Sequence, residues 1–360
     1  MFKIYSQAFD GSIVDETGKT IFFSFEKFQD EICKKGHCFV CGAKPDRTFN
    51  DEHVIPNWLQ RHCGIQRLTL DLPNGQKATY GTYKIACCSG CNSLLGDIYE
   101  TPISEAVKGG EKALIEFVQN GGASLLSAWL TLIFLKVHLR DFRNRVSPDN
   151  RAPAEMIGDS YELHHLHHVH AVARAITAGV EIEPNVFGTL HILGIVSTGD
   201  LFDYCDNLEG RTLLLQANNI AFVYVIDDCG ATSDMLVNQL RMLPRSLNRV
   251  QLREVYARHL AANLHIVESP TFGTIISRET GRPVIKVEFP EYKIHDYDPK
   301  VFGEVFRSAL GNLASDVEVD GTRGELAVEI IATGRVSSLF DDQGNPRNST
   351  CPPPVLPRSR

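Results

Sequence analysis

No run of about 18 or more uncharged apolar residues occurs in the 360-residue chain, so no membrane span is expected. The N-terminus, MFKIYSQAFDGSIVDE, lacks a basic segment followed by a long apolar stretch. A secretory signal of the usual kind is therefore not expected, and the cytoplasm is the expected location. Internal repeats are missing, which excludes solenoid and propeller architectures. An excess of positive charge is missing too. The net charge is −8, and residues 1–100 carry 11 Lys and Arg against 12 Asp and Glu, so nearly all of the acidic excess lies in 101–360. A protein that coats nucleic acid nonspecifically is not built this way. Any nucleic-acid site must be a local patch.

What the chain has instead is cysteine, ten in all, seven of them in the first hundred residues. A disulfide scaffold is normally small, secreted and evenly cross-linked. Clustered CxxC pairs in a cytosolic chain point to metal. Cys38 and Cys41 form one pair, Cys88 and Cys91 the other. Four thiolates from two facing turns satisfy the tetrahedral preference of structural Zn²⁺. Cys87 is also at hand, but only Cys88 has the two-residue gap to Cys91. The separation of the two pairs exceeds the ~15–20 residues of a zinc ribbon, so other structure must be inserted between them.

The length suits two or three domains, and the patterning predicts an α+β fold. SFEKFQDEICKK reads as a helix capped by Ser24 and ended by Gly36. The stretch from Ile65 to Cys88 reads as two strands joined at Asn74-Gly75. Beyond residue 104, the segment around Trp129 is a long apolar helix, too apolar to be left exposed. From about 185, VFGTLHILGIVS, RTLLLQ and NIAFVYVID read as strands of an antiparallel sheet. Residues 234–264 read as two helices broken at Pro244, and TFGTIISRETGRPVIKVEF as a hairpin. The expected division is 1–103, a zinc-containing domain; 104–340, an α+β domain with a possible role in homo-oligomer formation; and 341–360, a polar, proline-rich disordered tail.

Between the cysteine pairs lies FNDEHVIPNWL. CxxC, then EHVIP, then CxxCN resembles the HNH endonuclease family, in the branch with a four-cysteine zinc site. The resemblance covers about Cys38 to Ile98 and implies a ββα-metal module. It places the general base that activates water on His53. It makes Glu52 and Asn92 ligands of a catalytic Mg²⁺ or Mn²⁺. Asp51 could substitute for Glu52, but in an extended segment its side chain should point the other way. The family's middle Asn has no counterpart in GTYKIACC, where Tyr83 stands nearest; a backbone carbonyl could orient His53 instead. The chemistry suits these residue types. Neutral imidazole is a base at pH 7, and a hard divalent ion needs few protein oxygens. Arg47, Arg61, Arg67, Lys77 and Lys84 are candidates for backbone contacts with DNA, RNA not being excluded.

Two functions follow. One is a metal-dependent DNA endonuclease, as in a restriction or phage-defence effector. The other is a noncatalytic zinc-stabilised module that binds nucleic acid or protein. His164, His165, His167, His168 and His170 form a second histidine-rich feature. Without an acidic residue in the HExxH position, it is expected to be a solvated or partner-facing helix side.

Overall fold

The structure, a computed structural model, describes residues 4–196, 199–291, 293–319 and 321–347. Helices and several small sheets occupy separate stretches of chain, which is the expected α+β class. The chain forms two compact units, Met1–Phe187 with Thr271–Glu288, and Gly188–Pro270 with Phe289–Arg360. The break thus falls after Phe187, not after residue 103. Helix Ala123–Phe142 explains the shift. Its most apolar stretch is 83% buried, and it packs in the first unit against helix Leu163–Ala178. The apolar surface around Trp129 that suggested self-association is covered there, with Trp58 stacked on Trp129 at 5.9 Å.

The first unit opens with three short antiparallel strands, Tyr5–Gln7, Ile13–Asp15 and Thr20–Phe22. Ser24 caps the next helix by accepting from the Lys27 amide at 3.2 Å. Gly36 ends it with φ +64°, and a Cβ there would fall 1.6 Å from the Arg143 guanidinium. Both the backbone angle and the close approach require glycine. The expected hairpin is present as Thr69–Asp71 paired with Lys77–Thr79, and Gly75 takes φ +78° in its turn. Hairpin Thr271–Ile276 with Pro283–Glu288 belongs to this unit as well, pairing in parallel with Glu181–Ile182.

The second unit is built on a five-stranded sheet. Strands Phe202–Asn207, Thr212–Ala217, Ile220–Val225 and Leu190–Ile195 run antiparallel in that order, and Ser246–Leu247 joins in parallel. Phe202–Asn207, FDYCDN, was not expected as a strand, because its two carboxylates break the apolar pattern. Asp203 explains its place: it is buried in an ion pair with Arg253 of helix Arg249–Leu264. Asp228 is likewise consumed by structure, accepting from the amides and hydroxyls of Thr189 and Thr232 at 2.6–2.8 Å.

The expected disordered tail begins too early. Residues 341–347 fold back on the second unit. The Asp341 carboxylate accepts from the Gln343 and Asn345 amides, and Arg347 donates to the Phe340 carbonyl at 2.8 Å. An aspartate followed by Gly344 forms a turn as readily as a disordered end. The remainder of the proposed tail, 348–360, lies outside the described residues.

Candidate metal centre

The centre is assembled by one long antiparallel pairing. The Ser89 amide donates to the Thr48 carbonyl, Asn50 to Cys87, and Val54 to Tyr83, at 3.0–3.2 Å. Phe49 opposes Cys88, Glu52 opposes Ile85, and His53 opposes Lys84, all in one register. Helix Ser89–Leu95 follows directly. Strand, strand and helix therefore occur in the expected order. The first strand ends where Val54 and Ile55 enter the core. Pro56 then starts helix Asn57–His62, whose Gln60 ties back to the Ile55 carbonyl at 2.6 Å.

This register brings the two CxxC turns together. The sulfurs of Cys38, Cys41, Cys88 and Cys91 all lie within 4.8 Å of one another. Cys41 and Cys88 are 3.8 Å apart, close to the edge of a tetrahedron with metal–sulfur bonds of about 2.3 Å. The first turn is shaped by its own backbone, with the Cys38 amide donating to Ala43 and Gly42 to Cys38, each 2.8 Å. Thiols this close cannot all ionise unaided. Cys38 is pushed far down because Cys41 and its neighbours donate to it, while the bond to Cys38 pushes Cys41 and Cys91 up. A bound cation is what lets all four act as thiolates. Cys87 is fully buried with its sulfur 3.9 Å from that of Cys38, yet it falls outside the four-sulfur group.

Strand alternation separates Glu52 from His53. Glu52 faces inward and is 6% exposed. Its carboxylate receives Lys136 of helix Ala123–Phe142 at 2.8 Å, and the same ammonium donates to the His53 carbonyl at 2.8 Å. Glu100 also hydrogen-bonds Glu52, and burial pushes its own carboxyl up to about 7. Glu52 is thus a strand anchor, not an open ligand, and the expectation that it binds the catalytic ion fails on this geometry. Sequence reasoning missed Lys136. Its signal was a lone cation within TLIFLKVHL, since a charge in the middle of a buried helix needs a partner. Replacing Lys136 by methionine strands the carboxylates and is expected to destabilise the first unit by about 3–5 kcal/mol. Glu100→Gln, which mimics the protonated acid, should cost far less. Chemical denaturation of the two variants tests the contrast.

His53 stands on the other face, half-buried, beside Lys84. Burial, then the Lys84 charge, holds its imidazole below the ordinary value, so the neutral form prevails at pH 7. The Gly81 backbone acts on the ring in the opposite direction, but burial outweighs it.

Asn92 reaches the same edge. Its amide nitrogen donates to Asn50 Oδ1 at 2.9 Å and, more weakly, to the Asp51 carbonyl at 3.4 Å. That leaves its Oδ1 directed away from both. Asp51 interrupts the ladder with φ +44°, and its side chain is exposed. Aspartate tolerates this backbone better than most residues do. Asn92 therefore meets the backbone of Asp51, two residues before His53, while the Glu52 side chain turns inward.

The histidine-rich helix is not a solvated side. His170 is buried and bonds the Phe39 carbonyl at 2.7 Å. His167 bonds the Phe23 carbonyl at 2.9 Å. His164 stacks on Phe25, and His168 on Phe272. The carbonyls of 23 and 39 that His167 and His170 bond leave no mark in a sequence.

Comparison with protein-family models, with curated proteins and with solved structures gives no match. The functional reading therefore rests on the residues themselves.

Proposed function

We propose that residues 38–98 form a zinc-stabilised nuclease module of the HNH kind, hydrolysing phosphodiester bonds of DNA. One observation carries this reading. The 48–54 and 83–89 pairing carries a neutral His53 on the strand whose Asp51 carbonyl accepts from Asn92. The neutral His53 imidazole is suited to accept a proton from water. Lys84, opposite His53, is suited to a phosphate oxygen. The exposed Asp51 carboxylate and the Asn92 amide oxygen are each oxygen donors of the kind that Mg²⁺ or Mn²⁺ takes. When bound there, such an ion offsets the negative charge of the phosphate.

Asp51→Ala should lower cleavage at least as far as Asn92→Ala, with both partly restored by raised Mn²⁺. Glu52→Gln should act on stability more than on ion dependence. Plasmid nicking measured against Mn²⁺ concentration separates these. If Glu52→Gln alone shifts the ion requirement, the assignment of Asp51 is wrong.

The burial of Glu52 on Lys136 also favours a second reading, a noncatalytic zinc module that binds nucleic acid, since it removes one expected ligand. Plasmid binding without cleavage at any divalent-ion concentration would support it.

A further inference from the structure

The CxxC turn of Cys38 and Cys41 is held from outside the motif. Phe39 and Val40, the two residues between the cysteines, direct their carbonyls at helix Leu163–Ala178. His170 takes the Phe39 carbonyl at 2.7 Å. Arg174, one turn further on, donates from Nε to the Val40 carbonyl at 2.9 Å. The other arms of the same guanidinium donate to the Ile21 carbonyl at 2.5 Å and the Thr20 carbonyl at 2.7 Å. One planar fork thus joins the metal turn to strand Thr20–Phe22. The ring of Phe23 lies 4.7 Å from its Cζ.

Arg174 is 4% exposed, and no carboxylate among the described residues pairs with it. The anionic groups whose fields reach it are led by the thiols of Cys41, Cys91 and Cys38. A buried cation without a counter-charge is costly. Four neutral thiols would leave Arg174 in that state. Four thiolates around a divalent zinc carry a net charge of −2, and that excess is what a buried guanidinium beside the site would offset.

We infer that Arg174, with His170, is the outer shell of the four-cysteine metal site. In this role Arg174 is a positioning residue: it sets the shape of the 38–41 turn and offsets the charge of the loaded site. The inference rests on the reading of the cluster as a zinc site. It makes zinc retention and the docking of the 163–178 helix two sides of one equilibrium. Outer-shell partners of this kind are typically worth about 10–100-fold in metal affinity.

The test uses the full-length protein. Zinc content of the wild type is measured first; a chain purified without chelators that carries no zinc removes the underlying metal reading. With zinc present, release into a chromogenic chelator is followed for wild type, Arg174→Met and Arg174→Lys. Release should be about tenfold or more faster in Arg174→Met and intermediate in Arg174→Lys, which keeps the charge but loses the three-way fork. Release at the wild-type rate in both variants overturns the inference. Should Arg174→Met not fold, Arg174→Lys alone decides, read also by Co²⁺ substitution. Because lysine keeps the charge but not the fork that fixes it against the Val40 carbonyl, the sulfur-to-cobalt charge-transfer band should shift to lower energy. An unmoved band together with unchanged release contradicts the role.

Discussion

His53→Ala is expected to reduce DNA cleavage by a factor on the order of a hundred or more, with zinc content and thermal stability close to wild type. The imidazole lies on the half-buried face of its strand, so its removal leaves no cavity in the core. It is not among the four sulfur ligands. Its backbone carbonyl, which Lys136 uses, survives the substitution. The pH profile gives a second check. Because the folded-state value of His53 is lowered, the neutral base persists into mildly acidic solution. Cleavage should then fall as pH drops through a value below the ordinary 6.5 of histidine, not near or above it. His53→Ala cutting at the wild-type rate would remove the general base from the account.

The other large effect is structural. Cys91→Ser should abolish zinc binding and unfold much of the first unit. Structural zinc supplies folding free energy on the order of 10 kcal/mol, comparable with the whole stability of a domain. The loss should spread along the contacts that meet at the metal. Amides in 48–54 and 83–95 should lose hydrogen-exchange protection because their ladder closes the site. Those in 163–178 should follow, because His170 and Arg174 rest on the 38–41 turn. Protection in strands Thr212–Ala217 and Ile220–Val225, which have a core of their own, should persist. Uniform retention of protection in the first unit after zinc is lost would contradict this.

The residues that announce the site in the sequence are those whose type is dictated by chemistry. Cys38, Cys41, Cys88 and Cys91 are legible because metal geometry fixes both residue and spacing, and the fold unites them. His53 and Asn92 are singled out by residue type as well, in roles that the resemblance implies. Glu52 was misread because a carboxylate beside a catalytic-looking histidine can face either way. Only the strand register, set by partners thirty residues downstream, decides that it points to Lys136. The antiparallel sheet of the second unit was legible from runs such as IAFVYV, buried throughout. Phe202–Asn207 was not, because Asp203 is stabilised by Arg253, a tertiary partner that local propensity cannot represent. The unit boundary was misplaced for a similar reason. The change of pattern near residue 104 marks a change from small zinc module to long helices, not an end of packing, and the 123–142 helix supplies Lys136 to the strand of His53.

The central claim is that the His53 edge hydrolyses DNA. It is tested most directly by incubating the zinc-loaded protein with supercoiled plasmid in Mg²⁺ or Mn²⁺, beside His53→Ala and a sample with EDTA. The account predicts nicked and linear products from the wild type alone, dependent on the divalent ion. Plasmid left supercoiled by the folded, zinc-loaded wild type across both ions, or cut equally by His53→Ala, would contradict it.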